Sequence, residues 1–133
     1  MNAARVPLRD DGDLLTPAGA RYLEGWWRLG EDEALLVDLP AAAFEGGPYW
    51  GFLLYNVWGE SFDWRNRRVS LNSREVERGA DGGARIVVAH RDPGVPNWID
   101  TAGHLEGSMS LRWIRNTGDL PKVATRVVGI AAL

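Results

Sequence analysis

The 133-residue chain contains no cysteine. That excludes disulfides, zinc–thiolate and iron–sulfur sites, and any thiol nucleophile. Long apolar runs are missing too: the longest, around Ala41 and Phe52, fall well short of a membrane-spanning helix. Positive charge is in short supply, with 15 Lys+Arg against 18 Asp+Glu, a net charge of −3, and a pI near 5.3. A protein that releases counterions from phosphates needs a basic face, so nucleic acid is not an expected partner. Residues 1–13 are polar and lack the apolar centre of an export signal, which makes the cytoplasm the expected location. The common phosphate-cradling, nucleophile-elbow and zinc-protease motifs are also absent, and none of the serines sits in a nucleophile context. No cofactor is expected.

What is present is an ordinary globular composition, 45% hydrophobic and 25% charged, with one excess. Seven Trp are more than double the three Tyr or the three Phe. The length suits one domain, read as a flexible N-terminal arm over 1–15 and a single β domain over 16–133.

Short runs rich in aromatic and β-branched residues, separated by turn signals, predict an all-β antiparallel sandwich of jelly-roll type with long connecting loops. Residues 21–29 (RYLEGWWRL) and 34–39 (ALLVDL) flank the turn formers 30–33 and read as a β-hairpin. Residues 49–58 (YWGFLLYNVW) make the strongest strand, and both its faces are largely apolar. A sandwich buries one face of a strand, so something else must cover the other: a loop, a ligand or a partner. Residues 74–78 and 84–90 flank an Asp-Gly turn and read as a second hairpin. In 108–114, Met109, Leu111 and Trp113 alternate with polar residues, and 122–130 is a last strand. Between them, 90–105 (HRDPGVPNWIDTAGHL) is a long loop with two Pro and two Gly, a length that usually signals function or disorder.

The segments 49–58, 69–72 (VSLN) and above all 85–104 (RIVVAHRDPGVPNWIDTAGH), followed by 107–113, resemble the family called domain of unknown function 1214. The likeness runs over about residues 20–115. It implies a jelly-roll-type β-sandwich. It also implies a surface that, in longer relatives, another β-rich domain covers. That surface would here be open or would form an oligomer contact. The family carries no established activity, so no catalytic residue is transferred.

Three constellations have chemical potential. His90, Asp92, Asp100 and His104 bracket the long loop; two imidazoles and two carboxylates suit acid–base work, or a two-His, one-carboxylate metal site. In the plainer reading the two aspartates brace the loop by accepting bonds from backbone N–H groups. The tryptophans form the second set. Trp113 belongs on a core face, and adjacent Trp26 and Trp27 must point to opposite faces of a strand, leaving one outside a two-layer core. Trp64 and Trp98 lie in polar loops, where a large aromatic calls for a pocket or a partner. The third is the cationic run 65–68, including Arg67, suited to clamping a carboxylate or phosphate.

The leading expectation is therefore a small-molecule-binding domain with an aromatic-lined pocket for a sugar, aromatic or other apolar ligand carrying a polar or anionic group. Its candidate contacts are Trp64, Trp98, Arg67, Arg91, Asn97 and Tyr49. The alternatives are a metal-independent enzyme using His104 or His90 with Asp100 or Asp92, and an interaction module that forms a homodimer or meets a separate partner domain.

Overall fold

Alternation of apolar and polar residues along the chain produces nine strands and two short 3-10 turns among the described residues. The computed structural model describes residues 9–10, 19–45, 47, 49–114 and 119–133. The strands are β1 (Arg9–Asp10), β2 (Ala20–Arg28), β3 (Glu33–Leu39), β4 (Tyr49–Tyr55), β5 (Ser70–Asn72), β6 (Ala84–Ala89), β7 (Trp98–Asp100), β8 (Glu106–Ile114) and β9 (Ala124–Gly129). They form a five-stranded sheet, β1-β2-β8-β4-β5, and a four-stranded sheet, β7-β6-β3-β9. No helix of the described residues is long and apolar enough to cross a membrane. Most of the 1–15 arm lies outside the described residues; Arg9 and Asp10 pair with Glu24 and Leu23 at the sheet edge.

One hydrophobic cluster draws on both sheets. Leu23 and Trp27 of β2, Phe52 and Leu54 of β4, and Leu111 and Trp113 of β8 meet Leu35 and Val37 of β3 and Ile86 and Val88 of β6. Each such side chain, fully buried, contributes about 1.5–3 kcal/mol. Trp113 is fully buried, and its indole N–H donates to the carbonyl of Ala43 at 2.8 Å. The apolar face read for residues 108–114 is thus a core face. Gly107 begins the same inward row. A Cβ there would strike the Tyr55 carbonyl and the Trp27 ring, so only glycine lets β8 pass between them.

Three connections differ from the sequence expectation. Residues 30–33 do turn the chain, with Glu33 N–H donating to the Gly30 carbonyl at 3.1 Å and Gly30 N–H donating to the Glu33 carboxylate at 2.9 Å. Yet β2 and β3 do not pair. β2 is flanked by β1 and β8, and β3 by β6 and β9. The turn carries the chain from one sheet to the other, so the apolar rows of β2 and β3 face each other across the core. The second expected hairpin has its turn, closed by Gly79 N–H to the Gly83 carbonyl at 2.8 Å, but residues 74–78 form no strand. Finally, the loop 90–105 contains β7, which runs parallel to β6. The four-stranded sheet is therefore mixed, because residues 90–97 carry the chain back before it pairs, while the five-stranded sheet is antiparallel throughout. Val95 of that return packs on the outer side of the four-stranded sheet.

Candidate functional site

In a strand successive side chains point to opposite faces, so burying Leu23, Trp27, Trp50, Phe52, Met109 and Leu111 turns their neighbours outward. The outer face of the five-stranded sheet carries Tyr22, Glu24 and Trp26 from β2, Ser108, Ser110 and Arg112 from β8, and Tyr49, Gly51, Leu53 and Tyr55 from β4. Register places them in rows. Trp26, Ser108 and Tyr55 lie side by side, then Glu24, Ser110 and Leu53, then Tyr22, Arg112 and Gly51. The middle strand supplies two serines while the strands beside it supply rings, so the surface sinks along β8. The resulting trough has a volume of about 700 Å³ and is lined by Tyr22, Trp26, Tyr55, Trp58, Ser108 and Ser110 among others.

Trp58 comes from the turn after β4, which Asn56 organises. The Asn56 side-chain oxygen accepts from the N–H groups of Trp58 and Glu60, each at 2.9 Å, and its amide donates to the Glu60 carboxylate at 3.0 Å. Gly59, at φ +78°, completes the bend in a conformation that glycine adopts freely. The turn closes on itself and presents the indole outward: Trp58 is 83% exposed and Trp26 is 51% exposed. At the floor, the Ser110 hydroxyl donates to the Tyr55 hydroxyl at 3.4 Å, a long contact that a ligand hydroxyl can replace. The trough thus offers ring faces and hydroxyls, and Glu24 is part of its lining.

Arg112 stands one row beyond Ser110, flanked by Tyr22 and Tyr49, with its guanidinium 5.7 Å from the centre of the Tyr49 ring. Burial works against its charge, but the nearby Tyr22 and Tyr49 hydroxyls outweigh that and hold its pKa above the ordinary arginine value.

The residues that the sequence singled out are spread over the other end and the other sheet. His90 Nδ1 lies 2.6 Å from the Thr101 hydroxyl and Nε2 lies 3.3 Å from the Leu29 carbonyl. A carbonyl only accepts, so this bond assigns the proton to Nε2, and both ring nitrogens are engaged. Asp92 accepts from Gly94 N–H at 2.8 Å, and Asp100 accepts from Ala102 N–H at 2.8 Å. These are the loop-bracing bonds of the plainer reading. Asp100 also pairs with Arg67 at 2.9 Å. His104 is exposed and stacks on Phe62, ring centres 4.4 Å apart and 8° from parallel. Neither histidine bonds either aspartate. Among the described residues no three His, Asp or Glu side chains gather as metal ligands would.

Arg91 pairs with Asp32 at 2.7 Å, and Trp64 is exposed with Arg65 over its ring. Asn97 is buried; its side-chain oxygen accepts from Glu77 N–H at 2.8 Å and its amide donates to the carbonyls of Glu77 and Arg85. Trp98 is half-buried, its indole N–H on the Ala89 carbonyl at 3.1 Å. A second depression, about 570 Å³, lies beside Asn97 on the outer face of the four-stranded sheet. Of the three arginines in its lining, Arg78, Arg85 and Arg126, two are spent elsewhere: Arg85 on Asp38 at 2.6 Å, and Arg78 on the Gly82 carbonyl and the Phe44 ring.

Of the six sequence-named contacts, Tyr49 alone stands on the face that carries the trough. Tyr22, Trp26, Tyr55, Trp58, Ser108, Ser110 and Arg112 were not named as ligand contacts. Two signals pointed at them: the Trp26–Trp27 pair, which cannot share a face, and the doubly apolar strand 49–58.

Compared with protein-family models and with curated protein sequences, the chain matches none. Among solved structures it is similar to an uncharacterized protein from Burkholderia cenocepacia, with 33% identity and a TM-score of 0.87 over 97% of this chain and 36% of that one. It is also similar to a protein from Vibrio parahaemolyticus, with 13% identity and a TM-score of 0.62 over 81% of this chain and 31% of that one. The second likeness bears on the fold alone. The chain spans about a third of the length of the solved structures it matches.

Proposed function

We propose that this protein is a small-molecule-binding domain whose site is the aromatic trough on the outer face of the five-stranded sheet. The framework is a jelly-roll-type sandwich of the kind that the resemblance to domain of unknown function 1214 implies. One observation carries the reading: two large indoles, Trp26 and Trp58, stand exposed around a trough of about 700 Å³ with hydroxyls at its floor. Exposed aromatics clustered around a concavity favour flat ligands, because the ring faces bury ligand surface while the polar groups fix its orientation. The ligand class is a flat or apolar body with polar substituents.

A fluorescence-detected screen of such compounds tests this. Binding shifts the emission of Trp26 and Trp58 to shorter wavelength and saturates, and the response disappears in Trp26→Ala/Trp58→Ala at an unchanged melting temperature. A panel that leaves the emission of the folded protein untouched would remove the proposal's support. A dimer by light scattering that the double variant converts to monomer would replace it with a self-association surface.

A further inference from the structure

Several arginines among the described residues meet carboxylates at 2.6–2.9 Å: Arg28 with Glu106, Arg67 with Asp100, Arg85 with Asp38 and Arg91 with Asp32. Arg112 does not, although it is more enclosed than any of them. It is half-buried in the central strand β8, beside Tyr22 and 5.7 Å from the centre of the Tyr49 ring, and no carboxylate among the described residues offsets its charge. Its Nε is buried without any hydrogen-bond partner. A guanidinium taken partly out of water with no carboxylate beside it is costly, and an anion at its accessible edge relieves the cost of that uncompensated charge.

The neighbouring backbone is shaped to leave room there. Gly51 is the cross-strand partner of Arg112, and a Cβ on it would come within 2.8 Å of the Tyr49 hydroxyl. The missing side chain is what lets Tyr49 lie back across β4 toward the guanidinium. Arg112 is also continuous with the trough. Tyr22 both lines the trough and is the cross-strand partner of Arg112, and Ser110 precedes Arg112 by two residues, about 6.6 Å along the strand.

We infer that Arg112 is the anion anchor of the trough, and that the ligand is a carboxylate with an apolar or aromatic body. The carboxylate sits on the guanidinium between Tyr22 and Tyr49, and the body runs along β8 between Trp26 and Tyr55 toward Trp58. This rests on the trough being the binding site, and names the class of molecule it takes.

The matched pair 3-phenylpropionate and 3-phenylpropanamide tests it, because the two differ only in the anionic group. Binding is followed on the intact chain by NMR of the Arg112 Nε–H signal, assigned by its loss in Arg112→Gln, and of the indole N–H signals of Trp26 and Trp58. The acid is expected to shift all three signals and to bind at least tenfold tighter than the amide. Arg112→Gln removes that preference, and Arg112→Lys keeps part of it. Gly51→Ala, which displaces only the end of the Tyr49 side chain, weakens the acid several-fold and leaves the amide unchanged. The Gly51 and Lys variants keep the test valid should Arg112→Gln fold poorly.

Equal binding of acid and amide, both seen at the tryptophans and indifferent to Arg112→Gln, overturns the anchor while leaving the trough intact. A shift at Arg112 alone, with silent tryptophans, overturns the trough and leaves a bare anion site. Inorganic phosphate that displaces the acid at matched ionic strength overturns the carboxylate assignment.

Discussion

The two sheets of this protein treat their outer faces in opposite ways. On the four-stranded sheet the outward residues Ala34, Leu36, Val87 and Ala89 are apolar, and the chain covers them itself with Val95, Trp98, Val128 and Ile130. Leu36 and Val87 end up only 2% exposed. On the five-stranded sheet none of the described residues covers the outward aromatics in this way, and Trp26 and Trp58 are exposed. Among the described residues the chain therefore roofs the apolar outer face of one sheet only. Under that roof the tryptophan is structural; on the other sheet the exposed rings are the basis of the proposed binding site.

Removing the roof should produce the largest effect. Trp98→Ala exposes Val87 and frees the Ala89 carbonyl, and is expected to cost about 2–3 kcal/mol in urea unfolding, below the full cost of a deeply buried indole. Trp58→Ala on the open face should stay within about 0.5 kcal/mol. Equal losses at the two sites would dissolve the contrast. Next comes Asn97, which ties the roofing loop to Glu77 and Arg85 through three bonds. Asn97→Ala leaves a buried N–H and two carbonyls unmatched, and about 2 kcal/mol of destabilisation is expected from the same measurement. On the roofed face itself the smallest effect expected is that of the Asp38–Arg85 pair, whose two bonds are 2.6 and 3.1 Å long. Both partners are partly exposed, so a double-mutant cycle should return no more than about 0.5–1 kcal/mol, falling as salt is added.

The local signals were good guides to local structure. Alternation located the core face of 108–114, composition located 49–58, and glycine-rich or acidic turns fell at 30–33 and 79–83, where the chain does turn. What they missed is pairing. The 30–33 turn has the chemistry of a hairpin turn, yet the strands on either side join different sheets, because Leu23 and Trp27 are better buried against Leu35 and Val37 than beside them. The same limit applies to the candidate site residues. Loop 90–105 holds both histidines and drew most of the candidates, but His90, Asn97, Trp98 and Asp100 are engaged in holding that loop to its neighbours, and Asp92 braces it from within. Spacing along a chain does not reveal whether a polar side chain has a backbone partner.

The sequence by itself determined the β class, the lack of thiol chemistry, the acidic balance, and a surplus of aromatic faces that two layers cannot hide. Strand parity alone requires that Trp26 and Trp27 part company. The tertiary structure decided which of the surplus aromatics would be roofed. That outcome depends on β7 returning parallel to β6 and bringing Val95 and Trp98 over one sheet. It depends equally on β8 running between β2 and β4, which sets two serines and an unpaired arginine between rows of rings. Both are long-range pairings, set by which faces bury best against each other once the whole chain has collapsed.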